Sequence, residues 1–184
     1  MCSLSRWTEI VEVNTKRFAA TAVFTAIAVI LSPLFFPIGP TKCFPAQHLV
    51  NAITGVLLGP MWALLQALAT STIRNVMGLG TVFAFPGSIF GALFVGFIYW
   101  VTGKKYLESA FTEVFGTGIV GALVSWAIFT PIFFPQNVAV LSATYFITAF
   151  SVSSIAGSVI GYVILQAFKR IGITHKTFMV KKSE

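Results

Sequence analysis

Long apolar segments, separated by short polar or glycine- and proline-rich breaks, run through nearly the whole chain. A helix that crosses a membrane needs about 20 predominantly apolar residues, and the pattern predicts six such spans. They are predicted at residues 18–36, 46–58, 61–77, 84–101, 114–130 and 140–168. The second is short, which is typical of a helix that is tilted or covered by protein. The runs are too continuous for the alternating pattern of a transmembrane β-barrel.

The composition is that of an integral membrane protein. Of the 184 residues, 57% are hydrophobic and 9% are charged, whereas about a quarter of the residues of a soluble domain carry charge. Such a chain cannot cover a surface that faces water. We therefore expect an all-α, polytopic membrane protein that forms one integral-membrane domain over residues 1–184.

The basic residues predict the orientation of this domain. Only Lys42 and Arg74 fall on one side of the six predicted spans. The ten on the other side are Arg6, Lys16, Arg17, Lys104, Lys105, Lys169, Arg170, Lys176, Lys181 and Lys182. Because lysine and arginine are enriched in cytoplasmic loops, both termini are expected in the cytoplasm, as an N-terminal segment (1–15) and a basic tail (169–184). This topology and contact with anionic lipid explain the net charge of +7 without a nucleic acid partner.

Polar residues interrupt the apolar pattern at the start of the second span and at the end of the third. Gln47 and Asn51 are one helical turn apart with His48 beside Gln47, and Arg74 and Asn75 close the third span at the same predicted level, toward the outside. Polar groups at membrane depth are costly and usually contact a substrate, an ion or each other. The pattern therefore predicts a binding site. The alternative for Arg74 is that it extends to the outer headgroups and caps its helix.

Later segments supply further candidates for this site. They are Phe85, Ser88, Trp126, Asn137 and Tyr145. The chain has no aspartate, and its five glutamates all map to the cytoplasmic side or close to it: Glu9, Glu12, Glu108, Glu113 and Glu184. An outer half without carboxylates favours a small, flat, neutral or anionic heterocycle over a cation.

Several other kinds of chemistry are not expected. Cys43 and His48 are two potential metal ligands without a third at a suitable spacing, so neither a metal nor another cofactor is predicted. No G-x-x-x-x-G-K-[ST] phosphate loop is present, so energy for uphill transport would come from a partner. A membrane enzyme would need an acidic metal motif or a nucleophile with its base, and His48 has no acidic partner recognisable in the sequence.

Pairs of small residues spaced four apart recur in the predicted spans, and such pairs allow helix backbones to approach closely in lipid. They are Ala22/Ala26, Gly55/Gly59, Gly87/Gly91, Gly118/Ala122 and Gly157/Gly161. We interpret the glycine-containing pairs as packing contacts within the bundle. The smooth first helix, in contrast, offers a groove for a helix of another protein.

These features resemble the substrate-binding S component of energy-coupling factor (ECF) vitamin transporters, first through Ala22-x-x-x-Ala26 ahead of Ile30-Leu31-Ser32. The chain also resembles the thiamine-precursor branch of these proteins, which includes the ThiW-type and hydroxymethylpyrimidine-type proteins. The similar stretches are segments 36–51 and 55–60, Arg74-Asn75 and Phe85-Pro86-Gly87-Ser88. The similarity covers residues 16–170.

The resemblance implies a high-affinity binding subunit of the bacterial cytoplasmic membrane that is not an enzyme. A coupling protein (the T component) and two cytosolic ATPases would supply the energy, with Ala22 and Ala26 as contacts to the coupling protein. The ligand would be hydroxyethylthiazole or hydroxymethylpyrimidine, bound near the outer surface. Another vitamin-like heterocycle, or a stand-alone membrane facilitator, is the alternative.

Overall fold

The computed structural model describes residues 14–38, 41–103, 107–137 and 140–179, and this part of the chain is mostly helical. Its elements are α1 (Thr15–Ile30), a hairpin of β1 (Phe36–Ile38) and β2 (Thr41–Cys43), α2 (Pro45–Leu58), α3 (Pro60–Val76), α4 (Ala84–Val101), α5 (Leu107–Phe133) and α6 (Ala143–Arg170). Short 3-10 turns follow at Pro135–Asn137 and His175–Phe178. Most of the predicted N-terminal segment and the last residues of the predicted tail lie outside the described residues.

Local sequence explains where the first helices begin and end. The side chain of Asn14 caps α1 by accepting a hydrogen bond from the Lys16 backbone N–H. The predicted first span, 18–36, was wrong at its end, because α1 stops at Ile30 and Phe36 belongs to the hairpin. Pro33 and Pro37 lack the N–H groups that a continuing helix needs. Between α2 and α3, Gly59 has a φ of +96°, which favours glycine.

Helix α5 begins earlier than predicted and is irregular. It starts at Leu107 with a 3-10 turn and contains π-helical stretches at Gly116–Gly121 and Ser125–Phe129. The predicted span of 114–130 therefore missed its first residues, and Glu113 lies inside the helix. Each π-helical turn holds more residues than an α-helical turn, so the side chains beyond it face a different direction.

The short helix α2 lies at the centre of the bundle. Every residue from Val50 to Leu58 is buried, as expected for a helix covered by protein. Its neighbours α4 and α6 pack closely against it at glycine residues. A Cβ on Gly55 would lie 2.7 Å from Val95 Cγ1 in α4, and one on Gly157 in α6 would lie 2.5 Å from His48 Cβ. These contacts confirm the interpretation of both glycine pairs as internal packing.

Among the described residues, three helices are long and apolar enough to cross a membrane: α4, α5 and α6. Helices α1, α2 and α3 have 16, 14 and 17 residues, which is short of the usual length of a span. The chain is thus an all-α membrane protein in which three long helices surround a buried short one.

Candidate functional site

A continuous series of hydrogen bonds joins α3, α2 and α5 inside the bundle. Arg74 Nη1 donates to Gln47 Oε1 at 3.1 Å, and Gln47 Nε2 donates to Asn51 Oδ1 at 3.0 Å. Asn51 Nδ2 then donates to Glu113 Oε1 at 3.0 Å and to the Ser88 carbonyl at 3.2 Å. All five side chains are buried. The network links a cation to an anion through two amides, so the two formal charges balance within one site.

Glu113 also contacts His48, whose Nδ1 lies 2.8 Å from Glu113 Oε1. When Nδ1–H donates to the carboxylate, the Nε2 of a neutral ring is left as an acceptor. The expectation that His48 has no acidic partner was therefore wrong, as was that of a site region without carboxylates. The partner lies 65 positions away in the sequence and on another helix.

His48 packs against the middle of α6. Gly157, which contacts His48, is 14 residues from the start and 13 from the end of α6 (143 to 157 and 157 to 170). At 1.5 Å per residue, this contact lies about 20 Å from either end of that helix.

A cavity lies beside this network, between the hairpin, the segment that joins α3 to α4, and α6. Gln47, His48, Arg74 and Ser88 contribute to its lining. The other contributors are Lys42, Cys43, Phe44, Thr81, Phe83, Ala84, Gly87, Phe150 and Ser153. Its volume of about 30 Å³ is close to that of a single water molecule, so a ring-sized ligand requires the walls to separate.

Arg74 brings a buried positive charge to the wall of this cavity. Its side chain is 1% exposed and its Cζ lies 3.6 Å from the centroid of the Phe44 ring. The guanidinium therefore does not extend to the headgroups, which was the alternative interpretation. Within the described part of the chain, its Nε and Nη2 have no hydrogen-bond partner. Two buried donors without acceptors are costly, and an acceptor on a bound ligand would relieve that cost.

Asn51 belongs to the network but not to the cavity lining, and the other five predicted site residues lie outside both. Asn75 donates to the Ser71 carbonyl of its own helix at 2.8 Å, and the Tyr145 hydroxyl donates to the Ile38 carbonyl at 2.6 Å. Phe85 is half-buried, and Asn137 is exposed in the turn after α5. Trp126 is 41% exposed and lies in the second π-helical stretch of α5.

Sequence reasoning missed Glu113 and the aromatic walls. The walls are Phe44, Phe83 and Phe150, and Phe150 approaches because Gly87 has no side chain: a Cβ there would lie 3.1 Å from the Phe150 ring. Phe44 and Phe83 adjoin motifs that had been singled out, so proximity in sequence was a usable signal. Glu113 could have been found as one of only five acidic residues in the chain, next to an apolar run.

A second feature is an open apolar groove between α1 and α3, with a volume of about 530 Å³. Ala22 and Ala26 line it together with Thr25 and Val29 of α1 and Leu65 and Ala69 of α3. Both alanines are exposed, so the small side chains form a smooth floor. This is the face that the sequence predicted as a contact for another helix.

Cys43 offers a chemical probe of the cavity. Burial raises the pKa of its thiol to about 11, so the reactive thiolate is scarce at neutral pH. In a Cys2→Ser background, we expect maleimide labelling of Cys43 to be slow at pH 7 and to rise about tenfold per pH unit between pH 8 and 10. Rates followed by mass spectrometry test this, with Val140→Cys in a cysteine-free background as an exposed control. A Cys43 rate equal to that control would contradict the burial.

Comparison with known proteins identifies the family. The family model described as "Thiamine-precursor transporter protein (ThiW)" matches residues 18–171. No curated protein and no solved structure matches the chain. The match includes the helices that build the cavity and the groove, and it covers most of the chain. The chain therefore belongs to the ThiW family of thiamine-precursor transporters.

Proposed function

We propose that this chain is the substrate-binding subunit of an importer for a thiamine precursor, either hydroxyethylthiazole or hydroxymethylpyrimidine, and that the cavity beside Arg74 holds the substrate. The observation that carries the proposal is Arg74, which is buried and has two N–H-bearing nitrogens without partners in the described structure. Both precursors are small aromatic rings with acceptor atoms. The family match supports a substrate of this class.

The surroundings of Arg74 suit a flat, uncharged heterocycle. Phe44, Phe83 and Phe150 offer ring faces, while Gln47, Ser88 and the free nitrogen of His48 offer hydrogen bonds. Glu113 does not line the cavity, and its carboxylate is hydrogen-bonded to His48 and Asn51. A permanently cationic ring, such as intact thiamine, would therefore meet Arg74 and Lys42 without a carboxylate in contact.

The test is to identify the small molecule that the protein retains. We expect protein purified from cells grown with both precursors to release one of them on denaturation, as detected by mass spectrometry. An Arg74→Leu sample prepared in parallel should release far less. Retention of neither precursor, together with no binding of either one at millimolar concentration, would refute the proposal. Retention of another ring compound would show that the proposed substrate is wrong while supporting the proposed role of the chain as a binding subunit.

Glu113 acts, in this proposal, as a positioning residue that holds His48 toward the substrate. Glu113→Gln keeps the shape and removes the charge, so we expect roughly tenfold weaker precursor binding, the value of one charge-assisted hydrogen bond. Glu108→Gln, which alters an exposed glutamate of the same helix, should bind normally. In a His48→Ala background Glu113→Gln should have little further effect, and full additivity of the two losses would contradict this role.

We propose six membrane crossings with both termini in the cytoplasm, supported by the ten-to-two distribution of lysine and arginine. Helices shorter than the bilayer are tolerated where protein covers them, as it covers α2. In a cysteine-free background, a membrane-impermeant maleimide applied to intact cells should label Val140→Cys and not Ile171→Cys. Both positions are well exposed, at 65% and 70%. Labelling of both or of neither before lysis would exclude this orientation.

The proposed energy source is an ECF module, a membrane coupling protein with two cytosolic ATPases. The apolar groove beside Ala22 and Ala26 has the shape that a helix of the coupling protein would fill. Uptake of the retained precursor should be lost in cells that lack those ATPases. Uptake that persists there would favour the alternative, a stand-alone facilitator, without affecting the proposed binding site.

A further inference from the structure

A second cavity, partly open to the surface, lies at the other end of the bundle, beneath the segment that follows α6. It has a volume of about 180 Å³. Along α6, Ser153 lines the first cavity and Leu165 lines this one, so the two are separated by 12 residues (153 to 165), or about 18 Å of helix. The two sites are therefore distinct, and neither the predicted binding site nor the apolar groove accounts for this space.

The roof of this cavity is a chain reversal with defined contacts. Gly172 has a φ of +82°, which allows the chain to turn back over the end of α6. The Tyr99 hydroxyl and His175 Nδ1 lie 3.0 Å apart, and Asn14 Nδ2 donates to the Phe178 carbonyl at 2.7 Å. The segment is thus attached to α4 and to the start of α1, which makes the space a built cavity rather than a gap beside a loose tail.

The walls divide into an apolar side and a basic side. Val56, Leu57, Leu107 and Leu165 form the apolar part. Lys169, His175 and Lys176 form the basic part. In the described part of the chain, neither lysine has an ion-pair partner. Glu108 follows Leu107 of the apolar wall, and its Oε1 accepts a hydrogen bond from the Tyr162 hydroxyl at 3.4 Å rather than pairing with either lysine. Both lysines are exposed, and among the described residues no carboxylate pairs with them, so the cavity presents positive charge next to an apolar surface.

We propose that this cavity binds a phosphate group carried on an apolar body. Two lysines give the charge that a phosphate needs, and the leucine and valine surface accommodates the attached acyl chain or ring. Basic pockets between helices at the cytoplasmic side of membrane proteins are suited to anionic phospholipid headgroups. A phosphorylated aromatic small molecule presents the same chemistry. This proposal is independent of which precursor occupies the cavity beside Arg74.

The experiment compares two charge-matched variants reconstituted in nanodiscs or detergent. Lys169→Gln/Lys176→Gln removes the cavity lysines, and Lys16→Gln/Arg170→Gln removes two basic residues at the same end that do not line it. Native mass spectrometry measures retained phosphatidylglycerol against phosphatidylcholine, and phenyl phosphate is titrated as a soluble competitor. We expect about thirtyfold weaker phosphatidylglycerol binding in the first variant, on the order of fivefold per lysine, and little change in the second.

The outcomes separate the sources of the phosphate. Specific loss of phosphatidylglycerol without competition by phenyl phosphate assigns a lipid site, and displacement by phenyl phosphate assigns a general phosphate site. Ile173→Trp, which fills the cavity without changing charge, should weaken binding in either case. Equal losses in both charge variants, or no preference for phosphatidylglycerol together with no binding of phenyl phosphate, would overturn the proposal.

Discussion

Ala26→Arg is expected to abolish precursor uptake while leaving precursor binding within about twofold of the original. Ala26 lies on the exposed floor of the groove between α1 and α3, away from the cavity beside Arg74. An arginine there would be buried without a partner when a helix of the coupling protein docks. Placing an arginine in the apolar interior of a membrane costs about 3 kcal/mol, which weakens assembly by on the order of a hundredfold.

Matched variants distinguish this effect from damage to the fold. Val23→Arg places the same charge on the same helix, outside the groove lining, so it controls for insertion of a charged α1 into lipid. Ala26→Ser keeps the groove smooth and should preserve uptake. The measurements are precursor binding by purified protein, co-purification of the coupling protein and ATPases, and uptake by cells. Normal co-purification and uptake with Ala26→Arg would contradict the proposed docking face.

Where turn residues bound an apolar run, the sequence was sufficient to predict the helix. The fourth span was predicted at 84–101 and α4 is Ala84–Val101. It follows a loop rich in glycine and is followed by Gly103, whose φ of +82° suits the end of a helix. The first span failed at its end because hydropathy continues past Ile30, while prolines end the helix and Phe36 belongs to a hairpin.

The polar members of the site were predictable for a different reason. Gln47 and Asn51 share one face of a helix at a spacing of four, and a buried amide or guanidinium in an apolar chain must find a partner. That reasoning found five of the residues now joined around the cavity: Gln47, His48, Asn51, Arg74 and Ser88. It did not supply Glu113, because a carboxylate near the end of an apolar run is ordinarily a loop residue.

Helix α5 shows why the remainder of the site was not predictable. Its 3-10 start and π-helical stretches alter the rotation per residue, so a regular 3.6-residue period does not describe which of its side chains face inward. Propensity at single residues does not encode these stretches. They follow from contacts such as that of Gly116, where a Cβ would lie 2.6 Å from the Phe90 carbonyl oxygen of α4. Tertiary packing, which one sequence does not display, therefore determines which side of α5 faces the interior of the bundle.

Arg74→Leu is expected to weaken precursor binding by about a hundredfold or more. The substitution removes Nε and Nη2, the two groups without partners in the described structure. Each hydrogen bond to a charged donor contributes about 1.5–3 kcal/mol, so two amount to at least about 3 kcal/mol. Arg74→Lys keeps the charge and loses the planar fork of the guanidinium. Its affinity for the precursor should therefore lie between those of the original protein and Arg74→Leu, at about a tenfold loss. Equilibrium binding of the precursor that the purified protein retains measures both.

Loss of binding has to be separated from loss of structure, because Arg74 also donates to Gln47 and stacks on Phe44. Breaking a buried charge network can itself destabilise the fold by several kcal/mol. Thermal unfolding without ligand therefore accompanies each measurement and reports the structural share of the loss. If Arg74→Leu binds as tightly as the original, the unpartnered guanidinium does not hold the substrate. If the affinities of Arg74→Leu and Arg74→Lys fall only in step with their thermal stabilities, Arg74 acts by shaping the cavity and not by direct contact.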